Sequence, residues 1–284
     1  MNLRAIDICC GAGGWSVAAR GLPITVTDAW DWDTDACATH RANHQATDVH
    51  QADIRTVNFR PFAGKVDLVL GAVPCEEISV ARNSKKASAH ILRDWQALLD
   101  SILAAVDAIN PRWWVLENVI QMRKHLPPLT PYLIIDSAEY SAQKRRRIYV
   151  GKFPRPAPGT DTRVLRDCLR PGPHQVNRQT LEAPTTSTRQ WYGPRTKRIL
   201  DPDRKSPTIT NFGNRYSRAF TIQQSAAPPR ALNFHEAAAL QGFPEDFVFV
   251  AALFRATKLV GQAVQIHTAR AILQAIIQAH HQSE

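Results

Sequence analysis

The chain has 284 residues, of which 44% are hydrophobic and 21% are charged, values that are ordinary for a soluble globular protein. No apolar run is long enough to span a membrane, and the N-terminus lacks the architecture of a signal peptide. The five cysteines are odd in number and include no CxxC pair, which argues against a disulfide framework and against a zinc site. We therefore expect a cytoplasmic protein with reduced thiols and without a metal.

The net charge of +10 is concentrated in one stretch of the chain. Residues 152–229 contain 14 Lys and Arg against 5 Asp and Glu, and they hold 11 of the 19 prolines. This composition predicts a loop-rich basic insert at 152–229, between a core at 1–151 and a segment at 230–284 that returns to the core. A concentrated positive field favours nucleic acid as the partner, although a solvated basic surface without a partner is the alternative.

The chain before the insert alternates short apolar runs with amphipathic ones, which is typical of an α/β fold with a parallel sheet between helices. The predicted strands are Ala5–Cys9, Ile24–Asp28, Val66–Gly71, Trp113–Glu117 and Arg147–Val150. Several are apolar almost throughout, as expected of strands buried on both faces. Helical spacing of apolar residues predicts a helix from Leu92 to Ile109 and another from Ile266 to Ile277.

Two segments suit a cofactor that carries a nucleoside. Glycines in Asp7–Gly14 follow the first strand, where a strand-to-helix turn lets a ligand approach the backbone, although such turns also serve packing. Asp31 and Trp32 follow the second strand, which we expect to end near Asp28; they suit a ribose and an adenine, and an acidic helix N-terminus is the alternative. Asp53-Ile54 could add a contact to the adenine edge.

Cys75 is the candidate nucleophile. It follows a proline just past the third predicted strand, at the sheet edge where active sites of open α/β folds lie. A polar, basic segment from Arg82 to Ser88 comes next, so a reactive thiol would lie beside a basic loop. A buried packing cysteine is the alternative interpretation.

A carboxyl group and several arginines complete the candidate site. Glu117 ends the fourth predicted strand after four apolar residues, and burial there should raise its pKa so that it can hold a proton. Strand alternation places Arg145 and Arg147 on one face of the fifth strand, within reach of Glu117, and leaves Arg146 near solvent. A carboxylate that caps a helix or pairs with arginine is the alternative for Glu117.

Taken together, these segments resemble the DNA cytosine-C5 methyltransferase family in the order of their motifs across nearly the whole chain. The matching segments are D-I-C-C-G-A-G-G from Asp7, P-C-E-E-I-S from Pro74, E-N-V from Glu117, Q-K-R-R-R-I-Y-V-G from Gln143, R-A-L-N-F-H-E-A-A-A-L-Q-G-F-P from Arg230 and G-Q-A-V from Gly261. The resemblance implies a Rossmann-like S-adenosylmethionine-dependent methyltransferase core with a small basic target-recognition insert. It also implies a prokaryotic or phage source and a monomer acting on double-stranded DNA.

The resemblance assigns roles to individual residues. The catalytic set is Cys75, which would add to C6 of a flipped cytosine, Glu117 at N3 and the amine, and Arg147 with Arg145 at the O2 side. The residues placed against S-adenosylmethionine, or S-adenosylhomocysteine as product, are Asp7, Gly11, Gly13, Gly14, Trp15, Asp31, Trp32, Asp53, Ile54, Pro74, Leu98, Gln262 and Ala263. Those expected to contact DNA are Ser79, Arg82, Lys85, Gln143, Arg189, Arg195, Lys197 and Arg215.

The sequence departs from the family pattern at a few positions. Glu76 replaces the usual glutamine after the cysteine, where a carboxylate should weaken DNA binding unless a cation neutralises it. Gln262 replaces an asparagine near the cofactor, which suggests the hypothesis that a related donor is accepted. The relative binding of S-adenosylmethionine and a carboxylated analogue tests that hypothesis. Cys9 and Cys10 stand where the family often has apolar residues, and we interpret them as core packing.

Three other functions compete with DNA methylation. An RNA cytosine-C5 methyltransferase shares the architecture, since at least one branch of the family acts on transfer RNA. A catalytically silent DNA-binding relative would have no need to keep Cys75 together with Glu117, Arg145 and Arg147. A nucleotide-binding oxidoreductase would need a glycine fingerprint and a hydride-handling site, and the sequence shows neither.

Overall fold

A seven-stranded sheet forms the centre of the molecule in the computed structural model, which describes residues 2–75, 78, 89–169, 199–210, 221–222 and 230–283. In chain order its strands are β1 Leu3–Ile8, β2 Ile24–Asp31, β3 Asp48–Gln51, β4 Leu68–Ala72, β5 Trp113–Asn118, β6 Tyr132–Asp136 and β7 Arg146–Val150. Their spatial order is β3-β2-β1-β4-β5-β7-β6. The α/β fold class is therefore confirmed.

All five predicted strands are present, but the sheet is not parallel throughout. β1 to β5 pair in parallel, whereas β7 lies antiparallel between β5 and β6. The two strands missed by the sequence analysis, β3 and β6, are the edge strands, where exposed positions weaken the apolar pattern. β2 runs three residues past its predicted end to Asp31, so Asp31 itself lies at the tip of the strand.

Helices cover both faces of the sheet. The α-helices of the described residues are α1 Gly14–Ala19, α2 Thr34–Asn43, α3 Ala89–Ile109, α4 Phe234–Gln241, α5 Leu253–Gln262 and α6 Ile266–His281. One core cluster contains Leu3 and Ala5 of β1 with α1 and α6, and the other contains Ile6 and Ile8 of β1 with α3. Both predicted helices, α3 and α6, are thus confirmed with slightly different bounds.

The described parts of the basic insert add a small second sheet. Its strands are β8 Ile199–Leu200, β9 Thr221–Ile222 and β10 Arg230–Ala231, in the order β10-β9-β8. Leu200, Ile209 and Ile222 are buried in the same cluster as the strands of the main sheet. The described apolar residues of 152–229 therefore pack on the main core, and the boundaries of the insert as a domain stay a prediction. No helix among the described residues is long and apolar enough to cross a bilayer.

Helix α3 offers a matched test of how much the core contributes to stability. Ile102 is 0% exposed in the α3 cluster, while Ile91 on the same helix is 40% exposed. We expect Ile102→Ala to lower the free energy of unfolding by about 2–5 kcal/mol, because a buried side chain is lost and a cavity remains. Ile91→Ala should change it by about 0.5 kcal/mol. Urea unfolding of both variants measures the difference, and equal losses would contradict this packing.

Candidate active site

The glycine turn after β1 is fixed by hydrogen bonds from the tip of β2. The Asp31 carboxylate accepts hydrogen bonds from the backbone N–H of Gly11 at 2.8 Å and of Asp33 at 2.9 Å. Gly13 has a φ of +89° and begins α1 as its N-cap, a conformation that favours glycine. A Cβ at Gly14 would lie 2.9 Å from Val264 Cγ1, so the turn and the segment after α5 are in close contact.

A cleft opens at the carboxyl ends of β1, β4 and β5. The glycine turn forms one wall, and Lys258, Gln262 and Ala263 from the end of α5 form another. Cys75, Glu117, Arg145 and Arg147 also line this cleft. The structure therefore brings the four predicted catalytic residues to the same space as the predicted cofactor turn.

A second cavity adjoins this cleft. The two share Cys9, Asp31, Trp32 and Pro74 in their walls. Trp32 is 71% exposed, which is unusual for so large an apolar side chain. Its indole is therefore accessible where the two cavities meet.

Glu117 and Arg147 form a pair at the inner end of the first cleft. Glu117 is 4% exposed, and Arg147 Nε lies 3.1 Å from its Oε1 atom. Burial raises the pKa of Glu117 above its usual range, while the charges of Arg147 and Arg145 oppose that rise. Glu117 lies opposite Ala72 of β4, three residues before Cys75, so strand pairing sets the carboxyl group beside the half-buried thiol.

Arg145 and Gln143 are more deeply buried than the sequence analysis predicted. The terminal nitrogens of Arg145 donate to the backbone carbonyls of Ile209, Gly261 and Ala263, at 2.7, 3.2 and 3.1 Å. Gln143 is 0% exposed and donates to Leu240 O at 3.1 Å. The prediction that Gln143 contacts DNA is therefore contradicted, because its amide is used inside the protein. Arg146 is exposed, as strand alternation predicted.

The predicted cofactor residues divide between the two cavities. The first cleft is lined by Gly11, Gly14, Trp15, Asp31, Trp32, Pro74, Gln262 and Ala263, and the second by Asp31, Trp32, Asp53, Ile54, Pro74 and Leu98. Asp7 and Gly13 line neither. Asp7 is fully buried, and neither of its carboxylate oxygens has a hydrogen-bond partner among the described residues. Burial together with the charge of Asp31 raises the pKa of Asp7 well above the usual range.

Some of the predicted residues lie outside the part of the chain that the structure describes. These are Ser79, Arg82, Lys85, Arg189, Arg195, Lys197 and Arg215 of the predicted DNA contacts, together with Glu76. Their roles stay predictions.

The sequence analysis missed two features of the cleft. Cys9 has a φ of +57°, is half-buried and packs against the core cluster of Ile6 and Ile8, as expected, but it also lines both cavities. Cys10 is buried beside Ala29, Cys37 and Val49, and it also lines the first cleft. Lys258 lines the cleft one helical turn before Gln262, a spacing that the sequence contained and that could have identified it.

Comparison with known proteins identifies the family of this chain. A family model described as "C-5 cytosine-specific DNA methylase" matches residues 3–130 and 166–278. The chain belongs to this family. The matched ranges omit residues 131–165, which include Arg145 and Arg147. In this DNA cytosine-C5 methyltransferase, these two arginines are assigned to the cleft by the structure alone.

Alignments with individual relatives cover nearly the whole methyltransferase. The type II methyltransferase M1.HphI of Haemophilus parahaemolyticus is 26% identical, covering 98% of this chain and 87% of its own length. M.NgoPII of Neisseria gonorrhoeae is 24% identical, covering 96% and 95%. The solved structure of S. pombe Dnmt2 methyltransferase superposes with a TM-score of 0.70 at 17% identity over 99% of both chains. Entamoeba histolytica methyltransferase EhMeth gives 0.72 at 11% identity, again over 99% of both, which shows a shared fold.

The raised pKa of Glu117 predicts a pH-dependent contribution to stability. Above the ordinary value of 4.5, the folded protein holds a proton that the unfolded chain has lost, so this contribution is present at low pH and is lost as the pH rises through the folded pKa. Glu117→Gln lacks this titration. We expect the variant to gain stability relative to the parent protein as the pH rises from about 4 to neutrality. Urea unfolding across this range measures it, and a constant difference would contradict the raised pKa.

Proposed function

We propose that the cleft methylates C5 of a cytosine in double-stranded DNA through a covalent adduct between Cys75 and C6 of the base. The observation that carries this proposal is the presence of a half-buried thiol and a buried carboxyl–arginine pair in one cleft with the glycine turn. Methylation of cytosine requires a nucleophile such as the thiol, because C5 becomes nucleophilic only after attack at C6 has interrupted the aromaticity of the ring. The carboxyl–arginine pair can stabilise the charge that this attack places on the ring.

Each side chain has a role in this chemistry. The Cys75 thiolate adds to C6, and the electrons of the C5=C6 bond become available at C5 for a new bond to the methyl carbon. The bond between that carbon and the donor sulfur would break at the same time, with S-adenosylhomocysteine as the leaving group. Glu117, whose pKa burial raises, can hold a proton toward N3 and the exocyclic amine as the ring gains electron density. Arg147, already beside Glu117, would support O2. Loss of the C5 proton then restores the double bond and expels the thiolate.

The two cavities suit S-adenosylmethionine, which supplies an electrophilic methyl group when it is bound. The glycine turn packs closely against the segment after α5. A side chain at Gly14 would clash there, since its Cβ would lie 2.9 Å from Val264 Cγ1. Gln262 and Ala263 would hold the amino-acid end, and Asp31 the ribose. The exposed indole of Trp32, with Ile54 and Leu98, would hold the adenine. Gln262 lines the wall as the hypothesis of an altered donor requires, and that hypothesis stays open to test.

The target base must leave the duplex to reach Cys75, at a cost of roughly a few kcal/mol of unstacking. The basic insert would hold the phosphates and read base edges in this process, with the monomer as the acting unit. The described cations of the insert include Lys205, which donates to the carbonyls of Ser141, Asp161 and Arg163. Because Lys205 is bonded within the protein, we expect the predicted contacts Arg189, Arg195, Lys197 and Arg215 to bind the DNA.

Covalent trapping tests the nucleophile and the reaction together. The protein is incubated with S-adenosylmethionine and duplex DNA in which 5-fluorocytosine replaces cytosine, so that elimination is blocked. We expect a denaturation-resistant complex that Cys75→Ser abolishes. Cys168→Ser is the matched control, since Cys168 is half-buried and lines neither cavity, and it should still be trapped.

The outcomes of trapping separate the competing functions. A complex that forms on fluorinated RNA and not on DNA would favour the RNA methyltransferase. No complex on either, despite measurable DNA binding, would favour a silent relative. Trapping that survives Cys75→Ser would exclude Cys75 as the nucleophile.

The exposed Trp32 provides a test of cofactor placement. Removing an aromatic platform costs about 1–3 kcal/mol per stacked base, so we expect Trp32→Ala to weaken S-adenosylhomocysteine binding about tenfold. Trp32→Phe keeps a ring face and should lose less. Leu129→Ala removes a fully exposed apolar side chain that lines neither cavity, and it should leave binding unchanged. Isothermal titration calorimetry measures all three, and full affinity in Trp32→Ala would move the adenine elsewhere.

A further inference from the structure

A segment of the basic insert is hydrogen-bonded to the chain that leads into β7. Ser206 N–H donates to Ala142 O at 2.7 Å, and Lys144 N–H donates to Ser206 O at 2.7 Å. Farther along, the backbone N–H of Ile209 donates to the Gln143 side-chain oxygen at 3.1 Å. The insert is thus connected, through residues 206–209, to the short segment that carries the catalytic arginines.

Arg145 joins this segment to the wall of the cleft. The guanidinium is 2% exposed; its Nη1 donates to Ile209 O in the insert, and its Nη2 donates to Gly261 O and Ala263 O. These two carbonyls flank Gln262, and both Gln262 and Ala263 line the cleft. One rigid planar group therefore holds the insert and the cofactor-side wall at the same time.

A second buried side chain closes the connection. Gln143 binds Ile209 with its oxygen, and its nitrogen donates to Leu240 O and to the side-chain oxygen of Gln241. Gln241 in turn donates to Ala263 O, which Arg145 also binds. Two independent chains of hydrogen bonds thus lead from Ile209 to Ala263.

This arrangement should respond strongly to a change at either end. Hydrogen bonds from a charged donor are stronger than neutral ones, and a buried carbonyl that loses its donor is destabilising because its lost hydration is no longer compensated. The positions of Ile209 and of Gly261–Ala263 are therefore energetically dependent on each other. Burial lowers the pKa of Arg145 to about 10, while the charges of Glu117 and Cys75 oppose the shift, so the guanidinium stays protonated at neutral pH beside the reacting thiol.

We propose that Arg145 is a positioning residue that couples the basic insert to the cofactor-side wall, so that DNA and the cofactor each favour binding of the other. The proposal rests on the proposed function, in which the insert holds DNA and the cleft holds the cofactor. A ligand that fixes one end of the connection reduces the cost of ordering the other end. The effect is reciprocal, since binding free energies are linked.

The test measures the affinity for S-adenosylhomocysteine with and without a mixed-sequence duplex. In the parent protein we expect DNA to tighten binding about fivefold or more. Arg145→Lys keeps the charge but lacks the fork that reaches three carbonyls, and it should abolish the increase. Gln143→Met removes the second route and should reduce it without altering the guanidinium. If Arg145 were only a structural residue, Arg145→Lys would be less stable but would keep the DNA-dependent increase in affinity.

Arg163→Lys is the matched control. Arg163 also ties the insert to the core, donating to Tyr140 O at 3.1 Å and lying 2.8 Å from His267 Nε2, but it lines neither cavity. Its variant should keep the DNA-dependent increase. Thermal melting checks that each variant is folded. If Arg145→Lys does not fold, Gln143→Met is the variant that tests the proposal.

Several results would overturn the proposal. These are the absence of any DNA-dependent increase in the parent protein, an unchanged increase in a folded Arg145→Lys, and an equal loss in Arg163→Lys. Failure of the proposed function would look different, because then S-adenosylhomocysteine would not bind at all or 5-fluorocytosine DNA would not be trapped.

Discussion

Parallel pairing of β4 with β1 on one side and β5 on the other determines where the chemistry of this chain is located. Ile8 pairs with Gly71, and Ala72 pairs with Glu117, so three strands end at the same edge. The glycine turn, the Pro74-Cys75 segment and Glu117 are consequently neighbours, although they are far apart in the chain. Trp15 strengthens this edge by donating a hydrogen bond to Gly71 O at 3.1 Å. Every role proposed for the cleft depends on that alignment.

The antiparallel β7 brings its first residues to the edge where the parallel strands end. A parallel strand in that place would carry its arginines to the opposite edge, away from Glu117. The hairpin of β6 and β7 therefore places Arg147 beside the buried carboxyl and Arg145 beneath the cleft wall. Arg145 and Arg147, two residues apart, therefore reach different partners: Arg145 donates to buried carbonyls of the insert and the cleft wall, whereas Arg147 contacts Glu117.

The sequence predicted those parts of the molecule that depend on local pattern. The buried strand Leu68–Ala72 is apolar throughout and ends three residues before the thiol of Cys75, while Asp31 is the acidic last residue of β2. Residues whose role depends on distant partners could not be predicted in this way. Gln143 is buried because Ile209, Leu240 and Gln241 meet it from three separate segments. Cys9 reaches the cavities because the backbone reverses there with positive φ, which its side chain does not favour.

The contact between Gly14 and Val264 has a consequence for protein synthesis. The glycine turn is made at the start of translation, but the wall that faces it comes from α5 and the residues after it. A nascent chain that has reached residue 230 contains all seven strands of the main sheet, yet it still lacks Lys258, Gln262 and Ala263. The cleft is therefore assembled only after the segment beyond the basic insert has left the ribosome. An interrupted translation product would carry the thiol without a complete place for the methyl donor.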